Sequence, residues 1–286
     1  TPVVLGPLDV IATTLGAGAY EPGRNIGISI LGSTGMHIRI FHDADDIVLS
    51  DEQVGYIMPF VVPGTWGGFQ SHMAATLNID WLVDMAATCA ELAGMDGVDR
   101  RDLLLKLDKQ AGDARPGMLL FHPFISENGE RGPFVNPKAR AQILGLSTKS
   151  GPGDLMRAIY EGMAFAGKDC YRALEHKPDE IRLAGGAANS ALCRRILAAS
   201  VGAPVRIVER AEAGAAGAAL TAAVSIGLYE TIANGLRDWV TPYLGDLEPV
   251  DQELAAIYDD LFPAYRDGYL QMNGVWQTLY RSIQDR

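Results

Sequence analysis

Along the chain the hydrophobic period changes repeatedly, and each change marks an element. Pro2 to Leu8 is apolar and ends in Gly6-Pro7-Leu8-Asp9. Val10 to Leu15 then carries a helical pattern that Gly16-Ala17-Gly18 stops. Ile26 to Leu31 and Met36 to Phe41 are apolar runs joined by Gly32-Ser33-Thr34-Gly35, which predicts a hairpin. Asp43 to Asp46 predicts a polar turn, Gly55 to Val62 a third strand, and Gly64-Thr65-Trp66-Gly67-Gly68 a break. A helix is expected from about Met73 to Leu92, with Leu77, Trp81, Met85 and Leu92 along one face, and a second from Arg101 to Gln110. Met118 to Phe121 reads as a short strand. The glycines, prolines and charges of His122 to Pro137 exclude a regular element and predict a long loop. Asp154 to Leu174 predicts a long helix, capped by Asp154 after Gly151-Pro152-Gly153.

The stretch from Ile181 to Leu220 is the most informative. Ile181 and Leu183 alternate with Arg182 and run into Gly185-Gly186, a strand feeding a tight turn. Asn189 or Ser190 can cap the following helix, whose Leu192, Ile196 and Leu197 share a face. Gly202-Ala203-Pro204-Val205-Arg206-Ile207-Val208 gives a second strand, and Gly214-Ala215-Ala216-Gly217-Ala218-Ala219-Leu220 opens a small-residue helix. Asp251 to Ile283 is largely helical, with an aromatic stripe from Tyr258 to Tyr280 that reads as packing. No repeat or low-complexity linker divides the chain, which predicts one domain over 1–286. Three antiparallel strands, a helix and later a βαβα unit predict an α/β fold of the ribonuclease-H-like, actin-type ATPase kind. A doubly wound dinucleotide-binding sheet would alternate strand and helix from the start.

Charge and cysteines narrow the function classes. With 24 basic and 35 acidic residues the net charge is −11, and no basic cluster stands out, so nucleic acid and anionic membrane are not expected partners. The longest apolar run, Ala213 to Tyr229, is too short and too rich in Gly and Ala to span a bilayer. Cys89, Cys170 and Cys193 are far apart in apolar helical settings, which predicts buried free thiols in a reducing, cytoplasmic compartment. Their spacing supports no metal site. The chain begins at Thr1 and is soon apolar, so it is expected to be a piece of a longer protein.

Glycines at a strand-to-helix corner let a ligand approach the backbone, and the helix start offers free N–H groups to an anion. Gly185 and Gly186 therefore predict a nucleotide or phosphate site; the plain alternative is a corner whose glycines serve only packing. Two other glycine patterns are rejected. Gly162 to Asp169 nearly spells a phosphate loop, but Asp169 replaces the needed Ser or Thr and the stretch sits within a helix. Gly16-Ala17-Gly18 lacks the strand that a dinucleotide fingerprint requires.

The segment Gly185-Gly186-Ala187-Ala188-Asn189-Ser190, the helix after it, Gly202 to Val205, Glu209, Glu212 and the Gly214 to Leu220 run resemble the FGGY carbohydrate kinases. So does the spaced pattern Gly145-Leu146, Asp154-Leu155 and Ala158-Ile159-Tyr160-Glu161, whose helix reads as scaffold. The resemblance covers almost the whole chain and implies the C-terminal lobe of a two-lobe sugar kinase, with residues 1–10 as the inter-lobe junction. It implies ATP and Mg²⁺, and phosphorylation of a primary hydroxyl on a sugar or polyol. Gly185, Gly186, Ala187, Asn189 and Ser190 would then form the nucleotide loop. Gly32, Ser33 and Thr34 would meet the phosphates, and Thr76 and Asp80 would face the base. Asp9 would be the catalytic base; its alternative is a helix cap. Ser126 to Phe134 resembles the pentulose and tetritol kinases. The sugar side would come from an absent N-terminal lobe, and a second copy of the chain is a further candidate partner. A nucleotide-binding lobe without phosphotransfer, acting as a sensor or interaction module, is the alternative function; a nicotinamide-dependent oxidoreductase is disfavoured for want of the fingerprint.

Overall fold

The computed structural model describes residues 2–95, 97–175 and 177–284. Thr1, the first residue of the expected junction, lies outside them. The strands are β1 (Ile26–Leu31), β2 (Gly35–Phe41), β3 (Tyr56–Pro59), β4 (Trp66–His72), β5 (Leu120–His122), β6 (Gln142–Leu144), β7 (Glu180–Ala184), β8 (Val205–Val208) and β9 (Leu244–Glu248). The helices are α1 (Asp9–Gly16), α2 (Thr76–Leu92), α3 (Arg100–Asp113), α4 (Pro152–Ala173), α5 (Ala191–Val201), α6 (Ala213–Ser225), α7 (Ile232–Trp239), α8 (Gln252–Leu270) and α9 (Asn273–Gln284).

Seven strands form one sheet in the order β3-β4-β2-β1-β7-β8-β9. The left half is antiparallel; β7 and β8 run parallel to β1, and β9 closes the far edge antiparallel. Omitting the two edge strands leaves the order third, second, first, fourth, fifth, as a ribonuclease-H-like lobe requires. The period-two alternation puts Ile26, Ile28, Ile38, Ile40 and Phe69 on one face, packed with Ile11 and Leu15 of α1, Leu220 of α6 and Leu236 of α7. The other face carries Leu31, Ile181, Leu183 and Val205, buried with residues of α2, α4, α5 and α8. The aromatic stripe is packing: Tyr258, Tyr265, Tyr269 and Trp276 are buried.

Four details differ from the sequence reading. The break expected at Gly67-Gly68 is instead part of β4, a fourth strand paired with both β2 and β3. A side chain at Gly67 would strike the Phe69 ring and one at Gly68 the Phe41 ring, so these glycines admit aromatics rather than end a strand. The buried face of α2 carries Asn78, Ile79, Leu82 and Val83, while Leu77, Met85 and Leu92 are exposed. Cys89 follows that exposed side and is itself exposed, unlike Cys170 and Cys193. Helix α4 starts at Pro152, and Asp154 is its third residue, its Oδ2 accepting the Gly151 N–H at 2.8 Å. Elements β6, α7 and β9 had no distinct sequence signal.

Helices α1 and α6 cross with almost no side chain between them. A Cβ on Gly16 would run into the Ala213 carbonyl, and one on Gly217 into the Ala12 carbonyl. The small-residue run of α6 is thus explained by a backbone-to-backbone contact that seats α1, and with it Asp9. Gly217→Ala is expected to lower stability by about 1–3 kcal/mol or more, as overpacking does, read as a lower urea midpoint. An unchanged midpoint would show that the two helices can separate freely.

Candidate functional site

Where β1 and β7 end side by side, three segments converge. The hairpin turn after Leu31 closes with Gly32 N donating to the Thr34 carbonyl at 3.1 Å. The first residue of α2, Thr76, donates to the Gly32 carbonyl through both its backbone N–H and its hydroxyl, each at 2.9 Å, and Ala75 N donates to the Ser33 carbonyl at 2.8 Å. From β7 the chain turns through Gly185 at φ +95°, where a side chain would strike the Leu31 carbonyl. One 3₁₀ turn, Gly186–Asn189, leads to Ser190.

Ser190 is the cap of α5: its Oγ accepts from Cys193 N at 3.1 Å and donates to Asp108 Oδ1 at 2.6 Å. The Tyr160 hydroxyl donates to the same Asp108 oxygen at 2.8 Å. Burial, with the Asp108 carboxylate beside it, holds the Tyr160 phenol well above its ordinary value, so it stays a donor.

These elements surround a cleft of about 380 Å³ with an apolar wall of Ile79, Leu104 and Leu105. Thr76, Asp80, Gly186, Ala187, Asn189 and Ser190 all line it. Gly32 and Ser33 join through their bonds to α2, and Gly185 stands behind the turn. Thr34 is exposed at the hairpin tip. A Cβ on Gly186 would meet only Thr76 Cγ2, at 3.8 Å, so this glycine keeps space open rather than permitting a contact. Asp108 gave no sequence signal, because its bond to Ser190 joins positions 82 residues apart. Tyr160 stood within the matched helix pattern.

Asp9 is not in this cleft. It is the first residue of α1 and exposed; Leu8, at the cap position, makes no side-chain cap, and the Asp9 Oδ1 accepts the adjacent Val10 N–H at 2.7 Å. Burial, opposed by the charge of Arg131 and reinforced by that of Asp9, raises the Tyr56 phenol. Among the described residues no group of three or more His, Cys, Asp or Glu side chains could hold a metal ion, and no helix is long and apolar enough to cross a membrane.

Behind the hairpin lies a buried polar chain. His72 Nδ1–H donates to the Ala74 carbonyl at 2.9 Å, which leaves Nε2 to accept from His37 Nε2–H at 3.3 Å. His37 Nδ1 then accepts from Ser29 Oγ at 3.0 Å. Burial lowers His37 well below, and His72 to about 4 from, the usual imidazole value, so both rings are neutral at neutral pH.

The model for the C-terminal domain of the FGGY family of carbohydrate kinases matches residues 28–226. The chain belongs to this family. As an FGGY chain it is 44% identical to the erythritol kinase of Brucella abortus (strain 2308), over 98% of its own length and 53% of that protein. It is 30% identical to the xylulose kinase of Escherichia coli (strain K12), over 69% of its length and 38% of that protein. The FGGY chain therefore spans about half the length, or less, of the curated relatives it matches. A ligand-bound xylulose kinase from Lactobacillus acidophilus superposes with a TM-score of 0.78 over 94% of this chain and 51% of that one, at 19% identity. Plasmodium falciparum glycerol kinase with ADP gives 0.71 over 92% of this chain and 50% of that one, at 13% identity. The fold is that of the actin-type ATPases.

In this FGGY chain the residues that lead into α2 are braced by Glu130 from the long loop. Its Oε1 accepts from Met73 N and Arg131 N, each at 2.8 Å, while buried Oε2 has no partner among the described residues. Burial dominates and pushes this carboxyl up to about 7, against the opposing pull of the three backbone N–H groups of Arg131, Met73 and Gly132. Between the ordinary value near 4.5 and about 7 the folded state keeps a proton that the unfolded chain has lost. This contribution to stability is full below the lower value and fades as pH rises through the upper one, by on the order of 3 kcal/mol. Glu130→Gln keeps the acceptor and removes the ionisation. Its stability relative to wild type is expected to rise from pH 4.5 to 8 in urea titrations; a pH-independent difference would refute the assignment.

Proposed function

We propose that this chain is the nucleotide-binding lobe of an ATP-dependent kinase that phosphorylates a primary hydroxyl of a sugar or polyol, with Asp9 as the base. The observation that carries this is the open cleft at Gly186, where a missing side chain leaves room against an otherwise assembled corner. The identity to an erythritol kinase along nearly the whole chain supports a short polyol. Free Cys170 and Cys193 and exposed Cys89 support a reducing, cytoplasmic setting.

The cleft fits a nucleotide chemically. Ile79, Leu104 and Leu105 offer an apolar surface to a purine, and Asp80, Asp108 and Asn189 offer polar edges. The hairpin turn of Gly32, Ser33 and Thr34 would face the phosphates. Mg²⁺ would enter with those phosphates and offset their charge; the described residues hold no cluster for it, and no step here depends on one. Asp9 would accept the proton of the attacking hydroxyl as the bond to phosphorus forms. Its exposure supports that role, although its Oδ1 also accepts the first-turn Val10 N–H of α1, as a cap would. The substrate side would come from an N-terminal lobe facing Asp9, and closure of the two would exclude water.

Gly186→Val is expected to weaken ATP binding by the complete protein at least tenfold while its melting temperature stays within a few degrees of wild type. Equal affinities in a calorimetric titration would remove the cleft from the proposal. Asp9→Asn preserves shape and loses the base. Turnover of the complete protein is expected to fall by about 10²–10⁴, with nucleotide affinity unchanged. Near-normal turnover would place the base elsewhere, and no sugar- or polyol-dependent turnover in wild type would favour the non-catalytic alternative.

A further inference from the structure

A second cleft, also about 380 Å³, lies at the opposite end of the parallel strands. Glu180, which lines it, is the first residue of β7, whereas Gly185 follows the last; at about 3.3 Å per residue these ends are some 16 Å apart. The two clefts share no lining residue.

Four arginines, 24, 182, 206 and 237, face this cleft with only two carboxylates, Glu21 and Glu180. Both carboxylates are fully engaged. Glu180, 4% exposed, accepts from Arg182 Nε and Arg206 Nε on one oxygen and from an Arg24 terminal nitrogen on the other, each at 3.2 Å. Glu21 accepts from Arg24 at 3.1 Å and from Arg182 at 2.6 Å. Arg182 also donates to the Gly18 carbonyl, and Arg206 to the Gly245 carbonyl at 2.9 Å. These bonds tie the segment between α1 and β1 to the sheet, and they explain three of the arginines.

They do not explain the fourth. Arg237, on the last turn of α7, is exposed and has no hydrogen-bond or ion-pair partner among the described residues. One terminal nitrogen of Arg206 is likewise without a bond and is not sealed from solvent. In a chain of net charge −11, this cleft thus sets four arginines against two carboxylates, with Arg237 unpaired among the described residues and planar N–H donors on Arg237 and Arg206 unused, beside a finished ion-pair frame. Guanidinium forks match the tetrahedral oxygens of a phosphate group.

We propose that this cleft is a binding site for a phosphate group, carried by a small phosphorylated molecule or present as the free ion, held by Arg237 and Arg206 and separate from the nucleotide cleft. The test is calorimetric titration of inorganic phosphate and, in a second arm, glycerol 3-phosphate into the complete protein. ADP is present throughout to occupy the other cleft, and sodium chloride at matched ionic strength serves as the control. Saturable binding is expected in wild type and in Gly186→Val. Binding is expected to weaken at least tenfold in Arg237→Glu, whose melting temperature without anion should equal wild type because Arg237 holds nothing. The tighter arm names the source of the phosphate. Equal binding by wild type and Arg237→Glu, or heats no different from sodium chloride in both arms, would overturn the proposal.

Discussion

At Gly185 the backbone of β7 passes so close to that of β1 that no side chain fits between them. That contact depends on a left-handed φ of +95°, which glycine adopts without strain. It brings the last residues of two parallel strands together, and the rest of the corner is built on that juncture. The Gly32 carbonyl, just beyond Leu31, is the anchor for the first residue of α2, and the turn after Gly185 delivers Ser190 to cap α5. A displaced Gly185 would separate hairpin, α2 and α5 at once. The cleft is therefore a by-product of strand pairing. Its walls belong to elements that the core already fixes, so its shape needs no ligand to assemble.

A second close approach sets the other side of the sheet. The crossing of α1 and α6 places two helices nearer than ordinary side chains allow, and each supplies a glycine at the other's carbonyl. In the sequence Gly16 read as the stop of the first helix and Gly217 as part of a small-residue family pattern. Their physical role is to hold α1 in place while its first residue, Asp9, stays exposed. The base proposed at Asp9 would benefit from such an arrangement, since a rigid support limits its wandering.

How much of this could be read from the residues follows from what each signal measures. The hairpin, the Gly185 corner and the Ser190 cap were legible because turn chemistry is local: neighbouring positions decide it. The strand at Trp66 to His72 was not, because Gly67 and Gly68 look like a break until the Phe69 and Phe41 rings that need their space are known. The face of α2 misled for a related reason. Its large apolar residues Leu77 and Leu92 are exposed while Asn78 is buried, its amide donating to the Ala74 and Ala75 carbonyls, so size and polarity pointed away from the core. Cys89 went wrong with that face. Asp108 was invisible because its meaning lies wholly in Ser190 and Tyr160, which the fold brings to it.

The two ends of the sheet also differ in how they treat charge. At the Gly185 end the polar groups are single and directed: one carboxylate, Asp108, takes two hydroxyl donors on one oxygen, and the wall beside it is apolar. Such a surface suits a flat, weakly polar ring system. At the Glu180 end, charges are paired and in excess, and Glu180 is buried only because three guanidiniums surround it. Removing one partner from such a set leaves a desolvated charge, which is strongly destabilising, so the frame resists change while Arg237 beside it is free to vary. A chain that needed only the brace could end its positive charge at neutrality. This one lines the same cleft with four arginines against two carboxylates, and among the described residues Arg237 has no partner for its charge.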